Sequence, residues 1–202
     1  MLAILLKGGM GLVFGLAFLY GMWRLIARRP LRCHTPTALM YMGAAFPVFC
    51  FFEVAVGRGH VWVFGQPLWQ YQIQPIHGGQ TSLYNFAIWP LYGWHLYLCE
   101  QTLAHLTLSR PMRLGAQALK HTCSGPLLEI LANIGMLGAL GRYYFYYLPD
   151  DLWHLTSIQV VPYYALASLL FSWVITKGRR IARPLTVGAV GYLIGLGIIL
   201  LG

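Results

Sequence analysis

Residues 60–80 read HVWVFGQPLWQYQIQPIHGGQ. The stretch mixes Trp62, Phe64, Trp69 and Tyr71 with glutamines, His60, His77, Pro67 and Pro75, and it holds no Lys, Arg, Asp or Glu. Long apolar segments flank it. A linker in bulk water usually carries charge, and a span through lipid does not carry a run of glutamines. Such a segment suits the headgroup zone, where a ring rests on hydrocarbon while an amide stays wet. Pro67 and Pro75 argue against one continuous helix, and Gly78-Gly79 permits a sharp turn. The expected fold is therefore an all-α bundle of membrane helices, with this aromatic loop as an interfacial or re-entrant lid between helices two and three.

Composition supports that class. Of 202 residues, 58% are hydrophobic and 9% charged, with a mean hydropathy of +0.61. Soluble domains are roughly a quarter charged. The length suits one integral domain, 1–202. The net charge of +9 would suggest nucleic acid in a soluble protein. Here the basic residues cluster between apolar spans, so membrane lipids are the expected partners and nucleic acid is not.

Apolar runs of spanning length fall at about 2–27, 37–57, 82–107, 124–146, 159–176 and 184–201. Arg24, Arg28, Arg29 and Arg32 follow the first, Arg110, Arg113 and Lys120 the third, and Lys177, Arg179, Arg180 and Arg183 the fifth. Only Lys7, Arg58 and Arg142 fall on the opposite side. That alternation implies six transmembrane helices with both termini outside the cytoplasm, in a bacterial inner membrane. In the first segment the basic cluster follows the apolar run, the reverse of a cleavable signal peptide, so that segment is expected to remain as a span. Gly11/Gly15, Gly135/Ala139 and Gly191/Gly195 have the spacing of close helix contacts. Cys33, Cys50, Cys99 and Cys123 form no CxxC pair and read as packing residues.

Ionisable groups inside spans are costly and usually face a cavity or a partner. Glu53, expected one turn short of the outer end of span two, reads either as a proton donor or as an ion-pair partner of Arg58 or Arg142. In span three, Asn85, Trp89, Gly93, Leu96 and Glu100 share one helical stripe, and Pro90 frees a carbonyl beside Trp89 and Tyr92. Glu129 and Asn133, one turn apart in span four, are expected near the cytoplasmic end with Glu100, as an inner polar pair or as interhelical hydrogen bonds. RYYFYYLPDDLWHLTS, residues 142–157, reads as an aromatic belt with Asp150, Asp151 and His154. Together with His60 and His77 these residues raise an outer metal site, but their spacing matches no metal motif, and no metal or cofactor is expected. GxSxG, HExxH, P-loop and dinucleotide-binding patterns are absent.

The outer side thus gathers Glu53, His77 and Asp150 as candidate catalytic groups, and His60, Trp62, Trp69, Asn85, Trp89, Tyr92 and Arg142 as candidate substrate-binding groups. Aromatic faces stabilise cations, an acid among apolar neighbours can protonate a double bond, and a nearby carboxylate or His can remove the final proton. Glu53, Arg58-Gly59, Trp62 and Pro75-Ile76-His77-Gly78 resemble the small membrane lycopene-cyclase domains over residues of about 50–95, with His77-Gly78 standing where those domains carry two acids. The likeness extends more loosely to the small integral-membrane terpene cyclases. It implies a helical bundle, an isoprenoid-like substrate and Glu53 as the acid. The expected function is cyclisation or isomerisation of a hydrophobic small molecule. The alternatives are a non-catalytic subunit or assembly factor bound to partner membrane subunits, and a small transporter.

Overall fold

The computed structural model describes residues 2–103 and 109–201. Among them are six helices: α1 (Leu2–Ala27), α2 (Thr35–Phe64), α3 (Asn85–Leu103), α4 (Arg110–Leu140), α5 (Val161–Ile181) and α6 (Pro184–Leu200). Four segments, Leu2–Ala27, Thr35–Phe64, Ala118–Leu140 and Ile158–Ile181, are long and apolar enough to cross a membrane. Helix α6 is apolar but has 17 residues. At 1.5 Å per residue it reaches about 26 Å, against a hydrocarbon core of ~30 Å. Helix α3 carries Asn85, His95, Glu100 and Gln101 and is not among the four.

Several boundaries differ from the expected spans. Helix α2 runs beyond residue 57 to Phe64 and stops at Gly65, whose φ of 74° suits a residue without Cβ and whose N–H bonds the Val61 carbonyl at 2.8 Å. Glu53 therefore sits about three turns from the helix end rather than one. Gly141 (φ 66°) ends α4 in the same way at Leu140, so the expected span to residue 146 is cut short. Helix α5 continues past 176 to Ile181. The expected continuation of the third span through 104–107 lies outside the described residues.

The all-α expectation is also corrected. Short strands β1 (Trp69–Tyr71), β2 (Pro75–Ile76), β3 (Thr81–Ser82) and β4 (Phe145–Tyr147) cap one end of the bundle. Strands β1 and β4 pair antiparallel, with Trp69 opposite Tyr147, Gln70 opposite Tyr146 and Tyr71 opposite Phe145, while β2 pairs with β3. The cause lies in WQYQIQ, residues 69–74, which alternates strictly: Trp69, Tyr71 and Ile73 are buried, and Gln70, Gln72 and Gln74 are exposed. A period of two belongs to a strand, not to a lid helix.

Helix α2 is the axis of the bundle, with α3 and α6 packed on it. A Cβ on Gly43 would lie 1.9 Å from the Gly188 carbonyl oxygen, and one on Gly191 would lie 2.6 Å from the Gly43 oxygen. These glycines let two backbones touch. Gly15 meets Leu91 of α3, whereas Gly11 and Gly135 face open space. Pro90 cannot donate to the Phe86 carbonyl. That carbonyl is not left to line a pocket, because the Tyr192 hydroxyl of α6 donates to it at 3.2 Å.

Gly43→Ala is expected to destabilise the protein by about 1–3 kcal/mol through overpacking. Gly59→Ala, with nothing within 4 Å of the new methyl, is expected to be neutral or to gain up to ~1 kcal/mol. Unfolding of the two variants in detergent checks the pair.

Candidate functional site

Glu53 projects from α2 toward the strands and α3. The Tyr71 hydroxyl of β1 donates to Oε1. Oε2 accepts from Thr81 Oγ1 at 2.7 Å, Asn85 Nδ2 at 2.9 Å and Trp89 Nε1 at 3.0 Å. Asn85 and Trp89 are one turn apart, so both reach the same oxygen. The Asn85 amide also donates to Thr81 Oγ1 at 2.8 Å and accepts from the Tyr144 hydroxyl at 2.8 Å. The network thus ties α2, α3, β1, β3 and the chain before β4 around one carboxyl group.

Glu129 of α4 is the second carboxyl. It accepts from the Tyr147 hydroxyl at 2.8 and 2.9 Å, from the Tyr164 hydroxyl at 2.7 Å and from Thr156 Oγ1. One turn on, Asn133 accepts from the Tyr144 amide at 3.0 Å and donates to the Phe145 and Leu155 carbonyls at 2.9 and 2.8 Å. Asn133 therefore fastens β4 and the following loop to α4. Burial first, and the neighbouring carboxyl second, push the Tyr71 and Tyr147 hydroxyls well above the ordinary tyrosine range; burial does the same to Tyr144. All three stay neutral and able to donate.

Glu53 and Glu129 line one cavity of about 50 Å³, walled by Phe49, Trp69, Tyr71, Trp89, Phe145 and Tyr163. The strand register explains the wall, since Trp69, Tyr71, Phe145 and Tyr147 all point inward from paired positions. Phe49 stacks on Trp89 with centroids 5.2 Å apart. Among the described residues neither carboxyl forms an ion pair, so the expected bridges from Glu53 to Arg58 or Arg142 are not made. At 100° per residue Arg58 is turned about 140° from Glu53 around the helix, and Trp62 about 180°.

The expected residues divide accordingly. Glu53, Asn85, Trp69 and Trp89 come together, and Tyr92 lines an adjoining cavity. Trp62 is 87% exposed on the opposite face of α2, and Arg142 is exposed beyond the end of α4. His60 Nδ1 bonds the Gln66 carbonyl at 2.8 Å, within the helix end. His77 Nε2 bonds the Ile198 carbonyl at 2.7 Å and anchors the loop to α6. Asp150, with a 78% exposed side chain, lies 3.3 Å from His154. Asp151 accepts from Ser157 and the Ile158 amide. The outer histidines are thus spread among separate backbone partners, and among the described residues no three metal-ligating side chains converge.

The inner pairing is corrected as well. Glu100 lies 3.8 Å from Arg179, while Glu129 faces the Glu53 cavity, because α4 carries it to the strand-capped end. Sequence reasoning missed Tyr71, Thr81, Tyr147, Thr156 and Tyr164. The alternation in WQYQIQ was a signal for Tyr71; nothing local marks Tyr164, which reaches Glu129 only through the packing of α5 on α4. The chain matches no family model, no curated protein sequence and no solved structure.

Asn133→Leu keeps the branching and the number of heavy atoms but removes the partner of the Tyr144 amide and of two carbonyls. A loss of about 2–4 kcal/mol is expected, with faster hydrogen exchange at Tyr144 and Phe145. Tyr146→Phe, on the outward face of β4, is expected to leave both unchanged.

Proposed function

We propose that this chain is an integral membrane enzyme that isomerises or cyclises an isoprenoid-like lipid by acid/base chemistry. One observation carries the reading: two carboxyl groups from separate helices face a single aromatic-walled cavity with, among the described residues, no ion-pair partner for either. One carboxyl gives its proton to a carbon of a double bond. The carbocation that forms loses a proton from a neighbouring carbon to the other carboxylate, so the composition and oxidation state of the lipid are unchanged. The aromatic faces of Phe49, Trp89 and Phe145 suit the intermediate charge.

The hydrogen-bond inventory supports a division of roles. Glu53 Oε2 faces two groups that only donate, the Asn85 amide and the Trp89 indole. Such a carboxylate is suited to accept the final proton. Glu129 is ringed by hydroxyls, which can turn and accept, and is suited to deliver the first. In the lycopene-cyclase resemblance the departure at His77-Gly78 leaves one acid; here Glu129 supplies the second from another helix. The proposed topology is six crossings with both termini non-cytoplasmic, in a bacterial inner membrane. It is supported at the end opposite the cavity, where three basic residues meet the bundle: Arg29, after α1, on the Gln101 carbonyl, Lys120 of α4 over the Trp23 ring and Arg179, in the last turn of α5, beside Glu100.

A second reading, a lipid-binding subunit without chemistry, is favoured by the saturation of both carboxyls with hydrogen bonds. Solvent deuterium separates the two. In heavy water, wild-type protein in nanodiscs made with its native membrane lipids is expected to place deuterium on an alkene-bearing lipid, read by mass spectrometry. Glu53→Gln and Glu129→Gln are each expected to lower the rate at least ~100-fold, while Glu100→Gln retains it. Gln at 53 can turn its oxygen to Asn85 and Trp89 and its amide to Tyr71, so the fold should persist. Full activity in both glutamine variants would sink the acid and base roles of the two carboxyls, and no incorporation by wild type would sink the enzyme reading and favour the binding subunit.

A further inference from the structure

The carboxyl cavity holds a few water-sized groups and not a whole prenyl chain. It adjoins a second cavity, of about 90 Å³, through Tyr71, Trp89, Glu129, Phe145 and Tyr164. That cavity in turn shares Ile88, Tyr92, Leu128 and Ala132 with a groove of about 370 Å³ between α1, α3 and α4. The outer lip of the groove is Phe18 and Leu131, 54% and 47% exposed on helices apolar enough to cross a membrane. Its imidazole, His95, is occupied: the Trp23 indole donates to Nδ1 at 3.1 Å, which leaves Nε2 to donate to Ser124 at 3.0 Å. The exception stands at the junction. The Tyr92 hydroxyl is buried and has no hydrogen-bond partner among the described residues. A buried hydroxyl without a partner costs roughly 1–3 kcal/mol, so its place between groove and cavity points to an oxygen that a bound molecule brings.

We infer that this groove is a lateral portal from the bilayer for a single-chain lipid bearing one hydroxyl or carbonyl near a double bond. The head passes Tyr92, whose hydroxyl donates to the lipid oxygen. The double bond reaches Glu129 and Glu53, and the hydrocarbon chain trails past Ile88, Leu128 and Ala132 toward Phe18 and Leu131. The reaction at the inner end rests on the acid/base reading above; the portal itself is a binding site and is read without turnover.

The test uses the full chain in phospholipid nanodiscs and two photoreactive probes. One is a twenty-carbon prenyl alcohol with a diazirine in its second prenyl unit, counted from the hydroxyl, the other the same chain without the hydroxyl. Light is expected to attach the alcohol to α3 around Ile88–Leu91 and to α4 around Leu128–Ala132. Ala132→Trp, at an exposed position that should not disturb folding, is expected to cut this labelling about tenfold, while Leu193→Trp on α6 leaves it unchanged. Tyr92→Phe is expected to lower labelling by the alcohol about fivefold and to spare the hydrocarbon. Labelling spread evenly over the exposed faces of α1, α5 and α6, or insensitive to Ala132→Trp, overturns the portal. If the labelling pattern holds while wild type places no deuterium on lipid, the portal stands and the enzymatic reading falls. If the pattern is lost while turnover still needs Glu53, the reverse is true.

Discussion

A carboxyl group taken out of water among helices needs either a cation or several donors, since leaving it bare costs far more than any single contact returns. Glu53 has no cation beside it among the described residues, and its neighbours are arranged to meet that demand. Tyr71, Thr81, Asn85 and Trp89 come from three separate elements to reach its two oxygens. The turn at Gly78-Gly79, the strand pair β2–β3 and the start of α3 all lie where these donors require them. Glu129 imposes the same demand from α4, and Tyr147, Thr156 and Tyr164 answer it. Tyr144 ties the first set to α4, its hydroxyl donating to Asn85 and its amide to Asn133, so the end of the bundle is organised by polar groups around two acids rather than by a hydrophobic core alone.

That arrangement links packing to chemistry. The glycine contact of α2 with α6 fixes the axis from which Glu53 projects. Pairing of β1 with β4 turns four aromatic side chains inward over the carboxyls, and Asn133 holds the outer strand in place. Aromatic walls of low polarity strengthen the electrostatic interaction of any charge formed between them. Hydrogen bonds that hold the acids in fixed positions are the preorganisation that proton transfer to carbon requires.

Much of this was legible locally. The apolar runs, the isolated Glu53 and the stripe of Asn85 and Trp89 follow from residue chemistry and helical spacing, whereas the helix stops at Gly65 and Gly141 came from the structure. Three glutamines of residues 66–80 are legible too once their period is read as two: Gln70 of β1 and Gln72 and Gln74 just after it are exposed, while Trp69 and Tyr71 turn to the cavity. Trp62 misled because an aromatic near an acid in sequence is not near it in space when nine residues of helix turn it to the far side. His77 misled because its partner is a carbonyl of α6, at the other end of the chain.

By itself the sequence determined that long apolar helices form, that a few polar residues must be buried among them, and that Glu53 is one of these. Hydropathy, helical period and the cost of burying charge are properties of residues and their near neighbours. Only the tertiary structure decided that Glu129 faces Glu53 instead of Glu100, that Tyr164 and Tyr147 hold it, and that a groove between α1, α3 and α4 adjoins the cavities beside them. These depend on which helices pack together and how far each is shifted along its axis. A shift of one residue turns a side chain through 100°, and spacing along the chain does not encode that shift.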